Sequence, residues 1–129
     1  MIKIYGASLI SHARMWTDWG NKNRDIITLQ SRWQANVLAG ATEEPANARV
    51  FWWDDESDVL DSDVLVVYAA DGDTLRGALV EAGMAIAYDK PVYITGDSRS
   101  YGTWQYHPSV RRVKDLDTLA AEFRSSTAW

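Results

Sequence analysis

Hydrophobic residues along the chain form short, continuously apolar runs that alternate with longer stretches of mixed character. The short runs are rich in β-branched residues, which is typical of strands buried on both faces of a sheet. They predict strands at residues 2–7, 25–33, 63–70, 90–95 and 110–113. The longer stretches predict helices at residues 12–20, 48–62, 74–88 and 115–126, with loops over 34–48 and 96–109.

Ser11, Thr74 and Asp115 stand where their side chains can cap the start of three of these helices. Because strands and helices alternate, we expect an α/β fold, a small doubly wound parallel sheet formed by residues 1–129 as a single domain. Ligands of such sheets bind beyond the carboxyl ends of the strands. The predicted strand ends lie at residues 5–8, 31–33, 69–73 and 95–98.

The composition of the chain argues against several classes of function. The 129 residues include no cysteine, and the net charge is −5. A negative charge argues against a nucleic-acid polymer as partner, and no apolar run approaches the ~20 residues of a membrane span. The opening MIKIYGAS lacks a signal-peptide cleavage pattern, so we expect a cytoplasmic protein. Seven tryptophans and six tyrosines provide flat rings for a core, an interface or a stacking site.

The predicted helix 74–88 is apolar on nearly every side. A helix of this kind is normally buried all round. A chain of 129 residues offers no second layer to cover its outer face, so a partner subunit is the natural cover. We therefore expect a homo-oligomer, a dimer or larger, with this helix at or near the interface.

One carboxylate, Glu81, interrupts this apolar helix. Burial of an unpaired carboxylate is unfavourable and raises its pKa, so such a group is usually either paired or reactive. A salt bridge to Arg76 or Lys90, or exposure at the helix edge, is the simpler interpretation. Gly77 costs about 1 kcal/mol relative to alanine inside a helix. Its position one turn before Glu81 leaves room for a ligand to approach the carboxylate.

Three stretches together carry a family resemblance. They are MIKIYGASLISHA, then DSDVLVVYAADGDTLRGALVEAGMAIAYDKPVYITG, and finally TWQYHPSVRRVKDLDTL. The second contains a strand, an acidic turn with glycine, and the pattern Gly-x-x-x-Glu-x-Gly-x-Ala followed by Lys-Pro-Val. In these features the chain resembles the nucleoside 2-deoxyribosyltransferases and the related nucleoside 5′-monophosphate N-glycoside hydrolases. The third stretch is similar to the tail of phage-borne and bacterial members.

The resemblance implies cleavage or transfer at the N-glycosidic bond of a 2′-deoxynucleoside. Glu81 would be the nucleophile that forms a covalent deoxyribosyl-enzyme through an oxocarbenium-like transition state. No metal and no cofactor are implied, and the partner is a small nucleoside or nucleotide. The alternatives are a nucleoside 5′-monophosphate N-hydrolase, or a non-catalytic nucleotide-binding or interaction module on the same fold.

The resemblance also assigns roles to other residues. Tyr5 matches a tyrosine that hydrogen-bonds the nucleophile, and a buried strand tyrosine is the alternative. Asp55 matches an aspartate that contacts the base and can protonate it as it leaves, and a solvated acid is the alternative. Leu75 stands where the family has a sugar-contacting aspartate. Asp73 is the nearest acid that can substitute for it.

Further substrate contacts are expected in two loops. By analogy, the loop YGTWQYHPS reaches a neighbouring subunit's site, where Trp104, Tyr106 and His107 contact the base. The alternative for His107 is an ordinary turn residue. Ser8 lies with Ser11 at a strand–helix junction, where hydroxyls and a helix N-terminus can bind phosphate, although capping alone also explains serine there. The expected substrate-binding residues are Ser8, Asp73, Gly77, Trp104, Tyr106 and His107.

Overall fold

The fold is a parallel sheet of five strands with helices on both faces. The computed structural model describes residues 1–96, 99 and 101–126. The strands are β1 (Ile2–Ala7), β2 (Ile27–Leu29), β3 (Val64–Ala69), β4 (Val92–Gly96) and β5 (Val110–Arg112). The helices are α1 (Ala13–Lys22), α2 (Trp33–Leu38), α3 (Pro45–Asp61), α4 (Gly77–Ala87) and α5 (Leu116–Ser125). Within these described residues, no helix has the length and apolar character to cross a membrane.

The central strand β3 is buried on both sides because each face of the sheet is covered. Val64 and Val66 pack in a cluster with α1 and α5. Leu65 and Val67 point the other way, into a cluster with α3 and α4. This alternation explains why β3 is apolar at successive positions. The doubly wound α/β fold predicted from the sequence is therefore confirmed.

The strand order, β2-β1-β3-β4-β5, places a crevice between β1 and β3. The chain leaves β1 towards α1 on one face and leaves β3 towards α4 on the other. Where the direction of winding changes in this way, the loops separate at the carboxyl ends of the two strands. Ligands of doubly wound sheets bind at that position.

Helix α2 lies where the sequence predicts the end of a strand and a loop over 34–48, so this prediction is wrong. The ladder between β1 and β2 ends at Leu29. Beyond it, the Gly6 N–H binds the Ser31 hydroxyl at 3.1 Å, so a side chain replaces the ladder. The chain is then free to turn into a helix at Trp33.

Three helix starts also differ from prediction. Ser11 lies in a 3-10 turn, Ile10–His12, and α1 begins after it, so Ser11 is not the cap of that helix. α4 begins at Gly77 rather than at Thr74. α3 begins at Pro45, where the fixed φ of proline suits the first helical position. The predicted cap of α5 is confirmed, because Asp115 accepts from the Thr118 N–H at 2.7 Å.

Candidate active site

A cavity of about 750 Å³ opens at the crevice between β1 and β3. The loop after β1 and helices α2, α3 and α4 form its walls, which combine aromatic rings with a few polar groups. A volume of this size suits a small organic ligand. The residues that line it include Ser8, Ser11, Trp33, Asn36, Glu43, Phe51, Trp52, Asp55, Thr74, Arg76, Gly77 and Glu81.

Glu81 lies on the inner face of α4 and is only 6% exposed. Its carboxylate accepts a hydrogen bond from the hydroxyl of Tyr5, which is buried in β1. In the described part of the chain no lysine or arginine pairs with this glutamate. Lys90 instead donates to the backbone carbonyls of Leu60 and Ser62. The salt-bridge interpretation of Glu81 is thus wrong, and the carboxylate faces the cavity.

Burial controls the protonation of the Glu81–Tyr5 pair. Loss of solvation raises the pKa of Glu81 to about 8, and the charge of Asp55 adds to this, while the Tyr5 hydrogen bond acts against it. Burial also raises the pKa of the Tyr5 hydroxyl, and the negative charge of Glu81 raises it further. Tyr5 therefore remains a neutral hydrogen-bond donor to the glutamate at any ordinary pH.

Asp55 reaches the same cavity from α3, where it is half-buried. Burial raises its pKa to about 6, and the negative charge of Asp58 contributes next. Hydrogen bonding with Tyr5 acts in the opposite direction. The fold thus brings together Tyr5, Asp55 and Glu81, the three residues assigned catalytic roles, and both carboxyls titrate near neutral pH.

Two of the predicted substrate-binding residues, Ser8 and Gly77, also line the cavity. The Ser8 hydroxyl accepts from the Trp16 indole N–H at 2.9 Å and donates to the Leu9 carbonyl at 2.9 Å. Its hydrogen is therefore already used within the protein. A Cβ at Gly77 would lie 3.6 Å from the ring of Trp52. The space beside Gly77 is bounded by this ring, which also lines the cavity.

Asp73 is not among the residues that line the cavity. Its carboxylate contacts His12 Nε2 at 2.8 Å and accepts from the Ala70 N–H at 2.9 Å. The hydrogen bond with His12 holds the pKa of Asp73 below its ordinary value. Leu75, which follows shortly after, is buried in the hydrophobic core. Asp73 therefore stabilises the turn before α4 through these two contacts.

Trp104, Tyr106 and His107 lie apart from the cavity of their own chain. The Trp104 ring packs edge-on against Tyr101, with ring centroids 5.5 Å apart. Tyr106 is 81% exposed. His107 Nδ1 accepts from the Ser109 N–H at 3.0 Å. Residues 97 and 98 of the nearby predicted strand end lie outside the described residues.

Trp33, Trp52 and Arg76 also line the cavity, although no sequence pattern indicated them as site residues. Trp33 depends on the unpredicted helix α2, and Trp52 lies on the cavity side of α3. Arg76 precedes the first residue of α4 and is the one basic residue among the described residues that line the cavity. It is exposed, and within the described residues its guanidinium makes no ion pair. Arg76 follows closely after the predicted strand end at 69–73, and this position could have indicated it as a site residue.

Comparison with protein families and with curated protein sequences finds no match. Solved structures that are similar over nearly the whole chain include the following two. A conserved protein from Enterococcus faecalis V583 is 21% identical, with a TM-score of 0.62, over 96% of this chain and 98% of that chain. A CMP N-glycosidase from Clostridium botulinum is 11% identical, with a TM-score of 0.60, over 96% of this chain and 99% of that chain. At these identities the likeness is one of fold, and this chain shares the fold of both proteins.

Proposed function

We propose that this protein is an enzyme that cleaves the N-glycosidic bond of a nucleoside or nucleotide, with Glu81 as its nucleophile. The observation that carries the proposal is the buried Glu81 carboxylate, which faces a ligand-sized cavity and is bound by the Tyr5 hydroxyl rather than by a cation. A reactive carboxylate of this kind suits an anomeric carbon that develops positive charge. The shared fold with a CMP N-glycosidase supports the same reaction class.

The proposed first step joins a Glu81 carboxylate oxygen to the anomeric carbon as the bond to the base breaks. The electron pair of that bond leaves with the base, and the Asp55 carboxyl supplies a proton to it. Tyr5 holds the Glu81 carboxylate in place through its hydrogen bond. The resulting ester is then attacked by water, which gives hydrolysis, or by a second base, which gives transfer.

This step requires Glu81 ionised and Asp55 protonated. The pKa of Glu81 is about 8 and that of Asp55 about 6, so at neutral pH the two carboxyls together hold close to one proton. Both interact with the Tyr5 hydroxyl, so the two groups titrate as a pair. With these pKa values the shared proton lies mostly on Glu81, and the reactive form is the minor arrangement in which it lies on Asp55.

Two substrate classes remain within this chemistry, a 2′-deoxynucleoside and a nucleoside 5′-monophosphate. The test is incubation with each, with and without a free second base, followed by chromatography of the bases. Exchange of base identifies a 2-deoxyribosyltransferase, whereas release without exchange identifies an N-hydrolase. No release from any member of either class would contradict the proposal.

Arg76 favours the monophosphate. It lines the cavity and precedes α4 directly, whereas Glu81 lies five residues further on, about 7.5 Å along the helix axis. In such a nucleotide the reacting carbon and the phosphate lie on either side of a single sugar. A guanidinium beside the start of a helix is a suitable partner for that phosphate.

Replacing Arg76 with methionine is expected to raise KM for a nucleoside monophosphate about 10- to 100-fold, the effect of losing a charge-assisted hydrogen bond. kcat/KM for the matching nucleoside should change little, because it has no phosphate to bind. Steady-state kinetics on both substrates provides the measurement. Arg24→Met, an exposed position before β2, is the matched control. Equal losses on both substrates would count against a phosphate contact.

We also propose that two copies of the chain associate through the outer side of α3 and α4. Leu79 and Val80 are exposed on α4, Tyr88 is exposed directly after it, and Trp53 on α3 is 71% exposed. In such an assembly the segment containing Trp104 would contact the neighbouring copy's cavity. Sedimentation at micromolar concentration should give a species larger than one chain. A monomer would contradict this arrangement and remove the role given to Trp104.

A further inference from the structure

Asp58 on α3 is a buried carboxylate whose charge is compensated by one arginine. It is 2% exposed. One oxygen accepts from the Arg32 backbone N–H at 2.9 Å, and the other accepts from Arg32 Nε at 3.0 Å and lies 2.9 Å from its terminal NH2 group. The same guanidinium lies 3.5 Å from Asp54. Both Asp58 oxygens are therefore bound by a single residue of another element.

This ion pair joins two helices that form separate walls of the cavity. Arg32 directly precedes α2, and the next two side chains, Trp33 and Gln34, donate to the Gly6 carbonyl at 2.6 and 3.0 Å. Asp58 lies one helical turn after Asp55 on α3. The pair consequently fixes the start of α2 against the part of α3 that carries Asp55.

The two members of the pair also act on Asp55 in opposite directions. The negative charge of Asp58 raises the pKa of Asp55, whereas the positive charge of Arg32 lowers it. The other ionisable groups around Asp55 are Tyr5 on β1, Glu81 on α4, Asp54 on α3, and Glu43 and Arg76 elsewhere on the cavity wall. Charge around Asp55 thus depends on a pair that does not itself line the cavity.

We propose that the Arg32–Asp58 ion pair is a positioning element of the active site, which holds the α2 and α3 walls together and balances the charge around Asp55. The functional part of this inference rests on the proposed reaction, in which Asp55 supplies the proton to the base. Neither Arg32 nor Asp58 is among the described residues that line the cavity, so both act through Asp55.

The test is a carbon-13 NMR titration of the Asp55 carboxyl in the intact protein. From its value of about 6, the pKa of Asp55 is expected to rise in Arg32→Met and to fall in Asp58→Asn, and the larger change, roughly half a unit or more, is expected in Asp58→Asn because Asp58 acts on Asp55 more strongly than Arg32 does. The two variants disrupt the same ion pair. A purely structural pair would therefore move the pKa in one direction in both variants, and this result, or no shift, would overturn the proposal.

Further variants keep the test decisive if Arg32→Met does not fold. The double variant Arg32→Met/Asp58→Asn removes both charges, and its Asp55 pKa should lie between the expected values of the single variants. Arg32→Lys keeps the charge and should stay near the wild-type value. Arg124→Met breaks a surface ion pair with Asp25 and should leave Asp55 unchanged. A double variant that titrates no higher than Asp58→Asn would also overturn the proposal.

The titration needs no substrate, so it is read independently of the proposed reaction. If the protein does turn over a substrate, the limb of the kcat/KM pH profile that reports Asp55 should move with the NMR value in each variant. If the Asp55 pKa rises in Arg32→Met and falls in Asp58→Asn but the protein turns over no substrate, the proposed reaction is contradicted. The role of the ion pair in balancing the charge around Asp55 is then still supported. If the protein turns over a substrate but this limb of the kcat/KM pH profile does not move in the variants, the positioning role of the Arg32–Asp58 pair is overturned.

Discussion

Glu81→Gln is expected to lower turnover about a thousandfold or more, while the protein stays folded and still binds its substrate. Glutamine has the same shape and its amide oxygen can still accept from Tyr5, but it cannot form an ester with the anomeric carbon. Losing a nucleophile typically has an effect of this size. Base release measured by chromatography, together with substrate binding measured by calorimetry, separates loss of chemistry from loss of affinity.

Glu122→Gln is the matched control for this variant. Glu122 lies on α5, on the opposite face of the sheet, where it pairs with Arg111 at 2.8 Å. Its replacement should leave turnover near the wild-type rate. A Glu81→Gln protein with wild-type turnover would contradict the proposed nucleophile. A wild-type protein that binds nucleotides but converts none would instead indicate the non-catalytic module.

The same substitution is expected to stabilise the protein above neutral pH. The pKa of Glu81 is about 8 in the folded chain against an ordinary value of 4.5, so the folded state keeps a proton that the unfolded state has lost. The stability that this group contributes is complete below pH 4.5 and is lost as pH rises through about 8. Glutamine does not titrate, so the variant avoids that loss.

The stability difference in favour of Glu81→Gln should therefore grow by about 1.4 kcal/mol per pH unit between these two values, on the order of 4 to 5 kcal/mol in total. Urea unfolding at pH 5, 7 and 9 gives the free energy of unfolding at each point. For Glu122→Gln the difference from wild type should stay nearly constant with pH. A Glu81→Gln difference that does not vary with pH would show that this carboxyl is not desolvated in the folded chain.

The parts of the fold that depend on local pattern could be predicted from the sequence. The run predicted at 63–70 corresponds to β3 within a residue at each end, because a strand buried on both faces has to be apolar throughout. Helix α2 was missed because it is anchored by side-chain hydrogen bonds from Trp33 and Gln34 to Gly6, far away in the chain. No local periodicity encodes such a contact.

In the candidate site, too, some residues could be predicted from the sequence and others could be placed only by the fold. Glu81 was identified because a single charge in an apolar helix is a local anomaly, and the family resemblance added Tyr5 and Asp55. The contact of Asp73 with His12 joins residues 61 positions apart, and only the fold reveals that this acid is engaged away from the cavity. The Arg32–Asp58 pair, 26 positions apart, was invisible for the same reason.

Covalent attack by Glu81 on the anomeric carbon is tested most directly by the configuration of the product formed in methanol–water. Two successive displacements, first by Glu81 and then by methanol, each invert the carbon, so the methyl glycoside should retain the β configuration of the substrate. Proton NMR of the first product formed identifies the anomer. A β product is the predicted result. An α product would mean that the solvent attacks the substrate directly and that no glycosyl–Glu81 bond forms.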